Sequence, residues 1–81
     1  MEVIKGRVYR HYKGDYYIVV DIAVNSDDLT KFVIYRGLYG DGPLWIREIT
    51  DFIALLDDEK RIKYNQEYRF QLQDIQSVVK R

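Results

Sequence analysis

Within one short stretch, Val33-Ile-Tyr-Arg-Gly-Leu-Tyr-Gly-Asp-Gly-Pro-Leu-Trp-Ile-Arg47, the chain places two tyrosines, its only tryptophan and two arginines. Aromatic faces stack on nucleobases at about 1–3 kcal/mol each, and guanidinium groups pair with phosphates as a two-pronged fork. Tyr9, Arg10 and His11 add the same residue types from an earlier segment. The candidate ligand-binding set is therefore Tyr9, Arg10, His11, Tyr35, Arg36, Tyr39, Trp45 and Arg47. If the segments that carry these side chains converge, they form an aromatic cleft edged by Arg7, Arg10, Arg36 and Arg47. A planar anion, such as a nucleotide or a short single-stranded nucleic acid, fits that composition. So does an extended peptide in a groove, or a second copy of the chain meeting the same aromatic face. A third reading is that several of the eight tyrosines simply fill a small core.

Residues that could carry catalysis are few. His11 is the only histidine, there is no cysteine, and the only serines are Ser26 and Ser77. A histidine metal cluster is thus excluded, and a nucleophilic triad would have to draw on Ser26 or Ser77, which fall where a turn and the terminus are expected. Asp15, Asp27, Asp28 and Asp41 all fall where turns are expected, and turns favour Asp for backbone reasons. Gly40-Asp41-Gly42 could cradle an anion with its amides, but the same residues are what a tight hairpin requires. The expectation is a non-enzymatic protein with no catalytic residues, no metal and no cofactor.

The elements that must position the aromatic set come next. Eighty-one residues, 47% of them hydrophobic, make one domain with a dense core. Thirteen basic and thirteen acidic residues cancel, which argues against affinity resting on bulk attraction to DNA. The distribution is uneven: Lys5, Arg7, Arg10 and Lys13 cluster early, and Asp57, Asp58 and Glu59 cluster late. No leader-like segment and no apolar run of membrane-spanning length occur, so a soluble cytoplasmic protein, with no membrane partner, is the expectation.

Alternation and turn residues predict antiparallel strands near residues 7–12, 16–24, 32–39 and 44–47. Residues 16–24 are apolar on both faces for most of their length, as in a central strand of a curled sheet. Ile49, Phe52, Ile53 and Leu56 then switch to helical spacing, predicting a short helix over residues 49–54. Residues 57–60 read as a loop, and residues 61–72 alternate again as a strand or a hairpin broken at Asn65-Gln66. Ile75, Val78 and Val79 suit a terminal helical turn capped by Asp74. The predicted core is Val8, Ile18, Val20, Ile22, Ile34, Leu38, Ile46, Phe52 and Phe70, with Val19 and Val33 on the alternative face. A one-residue slip in register would exchange the two sets. The sum is a mostly β fold: a small curled antiparallel sheet, or Src-homology-3-like barrel, with one short helix after strand four. Strand 61–72 is expected to cap its own sheet, leaving a monomer or weak homodimer.

The string Tyr9-Arg10-His11-Tyr12-Lys13-Gly14 is followed by Tyr17, Val19, Ile22-Ala23, Ser26, Val33, Tyr35, Leu38-Tyr39-Gly40-Asp41 and Trp45-Ile46-Arg47. Together these resemble the bacterial domain-of-unknown-function 1653 family over about residues 6–52. The resemblance implies a short stand-alone domain and adds no reaction. Two departures stand out: Asp21 where that family usually has glycine, and Val24-Asn25 where it often has an arginine–histidine pair. If that pair binds a ligand in relatives, this chain lacks part of the site.

Overall fold

The computed structural model describes residues 2–75 and is built on one five-stranded antiparallel sheet. Its strands are β1 (Val8–His11), β2 (Tyr16–Val24), β3 (Lys31–Gly37), β4 (Leu44–Glu48) and β5 (Phe70–Leu72), in the spatial order β4-β3-β2-β1-β5. β4 and β5 are the two edges, so the sheet is open and does not close into a barrel. A single helical turn, α1 (Ile49–Phe52), follows β4 directly, as the change of period predicts. A second helix, α2 (Asp58–Tyr64), falls where a loop and a strand were expected.

The reason for α2 lies in its ends. The Asp57 carboxylate accepts the Lys60 amide at 2.9 Å, satisfying an open N–H of the first turn. Asp58 and Glu59 stand in the first turn and Arg61 and Lys63 in the last, each matching the helix dipole. Asn65 then stops the helix in the left-handed conformation at φ 52°. Caps therefore override the apparent alternation of Ile62 and Tyr64. Ile62 is left 83% exposed. α2 is an excursion closed at its base, where Leu56 N–H donates to Glu67 O and Arg69 N–H donates to Ala54 O, both at 2.9 Å. The buried Gln66 amide ties this base to the sheet. It donates to the carbonyls of Arg10 and Tyr68 and accepts from the Arg10 guanidinium.

The core lies on the face opposite to much of the expected one. Tyr9, Val19, Val33, Tyr35, Phe52 and Phe70 are buried with Val3. Of the expected set, Phe52 and Phe70 are buried and Val8, Ile18, Ile22 and Ile34 are half-buried, whereas Val20, Leu38 and Ile46 are exposed. Two causes account for this. β2 is apolar at every even position and at several odd ones, so alternation alone does not choose its inner face. Aromatic volume does. Tyr9, Tyr17 and Tyr35 turn inward to surround a stacked Phe52–Phe70 pair whose ring centroids lie 4.1 Å apart. A bulge between Val19 and Asp21 then shifts the phase, which is why Ile22, after it, packs against the core. The Tyr9 hydroxyl is accommodated in the interior by accepting the Ile4 amide at 2.9 Å.

Candidate functional site

Cross-strand register decides which candidate residues share a face. Tyr35 pairs with Trp45 and Val33 with Arg47. Tyr17 pairs with Tyr9 on one side and with Gly37 on the other, and His11 pairs with Phe70. Directly paired residues project to the same side. The inner face therefore brings together Tyr9, His11, Tyr35, Trp45 and Arg47, and it adds Tyr17. Arg10 and Arg36 stand at the alternate positions and face the other way, so the expected eight-residue surface divides. Arg10 is engaged by Gln66, and the Arg36 guanidinium donates to Gly42 O at 2.8 Å, clasping the hairpin turn.

Tyr39 reaches the inner face from the turn rather than from a strand. Gly42 N–H donates to Tyr39 O, and Gly40 takes φ +51°, a left-handed position suited to glycine. The Tyr39 ring folds back over Gly37, which has no side chain in its way. Its hydroxyl accepts the Trp45 indole N–H at 3.0 Å and lies 3.3 Å from the Tyr17 hydroxyl. Trp45 is 46% exposed, so its ring is held at one edge and open to solvent on another. Tyr17 touches Tyr39, Tyr35 and Phe70 edge-on at centroid distances of 5.3–5.7 Å. Burial, and then its hydrogen bond with Tyr39, push the Tyr17 phenol well above its ordinary value, so it stays neutral. Tyr9 belongs to the same face but lies fully buried beneath it, and Tyr35 exposes almost nothing. Both are core.

The charged half of the rim surrounds Phe70. The Arg47 guanidinium stands 5.9 Å from the Phe70 centroid, donates to the Tyr35 hydroxyl at 3.2 Å and pairs with Asp51 at 2.6 Å. Arg69 meets the other Asp51 oxygen at 3.4 Å. On the opposite side, His11 lies edge-on to Phe70 at 5.0 Å and stacks on Tyr12 at 4.4 Å. Its Nδ1 accepts the Lys13 amide at 3.1 Å, an arrangement that suits a neutral ring. Burial first, and then the positive charges of Arg47, Arg69 and Lys13, lower the His11 pKa to about 4 against the raising effect of Asp15. The site around His11 is thus electropositive although the whole chain is neutral.

Three rim residues escaped the sequence reading. Tyr17 was masked by the ambiguity of β2. Asp51 stands four residues after Arg47, a spacing that does signal an ion pair. Arg69 carries no local signal, because it arrives through the closure beneath α2. No group of three or more potential metal ligands occurs among the described residues, and no helix among them is long and apolar enough to cross a membrane.

A family model described as Protein of unknown function (DUF1653) matches residues 7–72. The chain belongs to the DUF1653 family. The match runs from just before β1 to the end of β5, so the segment beyond residue 56, including α2 and Arg69, belongs to the DUF1653 unit too. No curated protein and no solved structure matches the chain. Of the two departures, Asp21 sits at the bulge, where its carboxylate accepts the Ile22 amide at 2.8 Å and pairs with Lys5. Val24 ends β2 at the opposite end from Tyr17. Neither falls on the rim.

His11 gives a pH prediction with a definite sign. Its ring should titrate near pH 4 in the folded protein against an ordinary value of 6.5. Between those values the unfolded chain binds a proton that the folded chain does not. The His11 contribution to stability is therefore complete above pH 6.5, falls as the pH drops, and is lost below about 4. Ring resonances followed by NMR report the midpoint, and thermal melts of a His11→Gln variant should show a flatter acid limb than the parent.

Proposed function

We propose that this DUF1653 protein is a non-enzymatic binding module that takes a planar anionic ligand, a nucleotide or short single-stranded nucleic acid, on the rim formed by Trp45, Tyr39, Tyr17, His11 and Arg47. The observation that carries the reading is the half-exposed Trp45 ring, anchored through its N–H to Tyr39 on the same face as the Arg47 guanidinium and a neutral His11 set among the positive charges of Arg47, Arg69 and Lys13. A base stacks on the indole face, and the phosphate competes with Asp51 for the guanidinium groups of Arg47 and Arg69. The open, helix-plugged sheet serves as a Src-homology-3-like scaffold for this surface, and the protein works in the cytoplasm.

Trp45, as the only tryptophan, reports directly. Its fluorescence should quench on titration with a short single-stranded RNA, and the apparent affinity should fall as salt rises because phosphate contacts release counterions. Arg47→Ala should weaken binding by about tenfold or more, the scale of a lost charge-assisted contact. The same change frees the Tyr35 hydroxyl and should lower stability by only about 1 kcal/mol. An unchanged Trp45 signal with nucleotides and oligonucleotides alike overturns the reading.

An interaction module is the second reading. It is favoured by the apolar side chains that the inverted sheet leaves on its outer face beside β4, where Leu44 is 54% and Ile46 is 64% exposed.

A further inference from the structure

β4 is an unprotected edge strand. Its register against β3 fixes which of its backbone groups are free. Gly37 N–H donates to Pro43 O at 2.9 Å, and hydrogen-bonded pairs alternate along an antiparallel ladder. Tyr35 with Trp45 and Val33 with Arg47 are therefore the next bonded pairs, so the amides and carbonyls of Leu44, Ile46 and Glu48 point away from β3. Natural edges are usually blunted by lysines, prolines, bulges or very short length. β4 is five residues long, with Pro43 only before it and no bulge against β3. Its charged side chains are turned to local partners: Arg47 to Tyr35 and Asp51, and Glu48 to Thr50. Ile34, Leu44 and Ile46 from the outer face and Trp45 from the inner one line an apolar hollow of about 260 Å³ beside β4.

We infer that this edge pairs with β4 of a second copy of the chain, making a two-fold dimer with one continuous ten-stranded sheet. The strand is complementary to itself. Antiparallel pairing centred on Ile46 sets Ile46 against its own counterpart and Leu44 against Glu48 of the second copy. The outward backbone groups of Ile46 bond to their own counterparts and the Glu48 amide of each copy to the Leu44 carbonyl of the other, whereas the Glu48 carbonyl, at the N-cap of α1, serves the first helical turn. The same pairing sets Trp45 opposite Arg47 of the second copy on the inner face, within reach of a cation–π contact. On the outer face the exposed Ile46 side chains of the two copies meet at the two-fold axis, with each Leu44 opposite Glu48 of the other copy. A formal net charge of zero imposes no long-range repulsion between copies. The dimer stands whether or not the rim binds an anion. If it does, the two rims merge, because each copy supplies an arginine beside the tryptophan of the other.

Sedimentation velocity from about 1 µM to about 500 µM, the range over which weak and moderate dimers dissociate, tests this on the full chain. The wild-type protein should pass from monomer to dimer across that range. Ile46→Lys places two like charges side by side at the two-fold axis and should raise the dissociation constant by more than about tenfold. Ile62→Lys, on the exposed side of α2, should leave association unchanged. Amide exchange of Ile46 in the wild-type protein provides a readout that needs no variant. Its protection should increase with protein concentration. A wild-type chain that stays monomeric throughout, a dimer that Ile46→Lys leaves intact, or an Ile46 amide that exchanges equally fast at both extremes overturns the proposal.

Discussion

Replacing Phe52 by alanine should destabilise the protein by about 3–5 kcal/mol, the usual loss for a fully buried aromatic ring. Phe52 has no exposed surface, lies parallel to Phe70 at 4.1 Å and receives the edges of Tyr9 and Tyr35 at 5.5 and 5.4 Å. Truncation leaves a cavity walled by three rigid rings, which cannot collapse inward as aliphatic side chains can. Because small domains are stable by only about 5–15 kcal/mol, the variant should unfold at markedly lower urea than the parent. Leu55→Ala, at a site 59% exposed, is the matched control and should cost less than about 0.5 kcal/mol. A Phe52→Ala loss no larger than that of the control contradicts the aromatic core.

Gly37→Ala should disrupt the rim more than the fold. A Cβ on Gly37 would lie 2.7 Å from two Tyr39 ring atoms, closer than carbon atoms approach. The Tyr39 ring is the group able to move, so its hydroxyl leaves both Trp45 and Tyr17. Overpacking of this kind costs about 1–3 kcal/mol. The specific signature is a changed Trp45 emission spectrum in the free protein, since its indole N–H loses its partner, together with weaker RNA binding. Tyr39→Phe should reproduce the spectral change with a smaller loss of stability. A Gly37→Ala protein with parental emission and binding would show that Tyr39 does not organise the rim.

How far the sequence reveals this fold depends on which physical signal each element carries. β1 to β4 follow from alternation broken by glycine and aspartate turns, and α1 follows from the helical spacing that begins at Ile49. The inner face of the sheet does not, because Tyr16, Ile18, Val20, Ile22 and Val24 offer as apolar a stripe as the residues that face inward. Only the volume of Tyr9, Tyr17 and Tyr35, which must surround the phenylalanine pair, breaks the tie, and alternation gives no weight to volume. α2 is legible in its caps, Asp57 and Asn65, rather than in its pattern. For the site, the grouping of Tyr35, Trp45 and Arg47 is readable from a hairpin register. The separation of Arg10 and Arg36 from them follows from the same parity once the inner face is known. Arg69 is not readable locally, because α2 and the Leu55–Tyr68 bridge bring it to Asp51 from outside the hairpin.

The most direct test of the rim as an anion-binding surface is an NMR titration with a short single-stranded oligonucleotide that follows two resonances, the Trp45 indole N–H and the His11 ring. His11 titrates near pH 4 in the free protein, partly because of the positive charges of Arg47, Arg69 and Lys13. A phosphate bound among those groups offsets them, so the His11 midpoint should rise on saturation and binding should tighten as the pH falls toward it. The Trp45 N–H should shift in the same titration, while the backbone resonances of Arg10 and Arg36, on the other face, stay in place. An oligonucleotide that leaves both the His11 midpoint and the Trp45 resonance where they stand in the free protein, or that shifts the Arg10 and Arg36 face instead, contradicts the account.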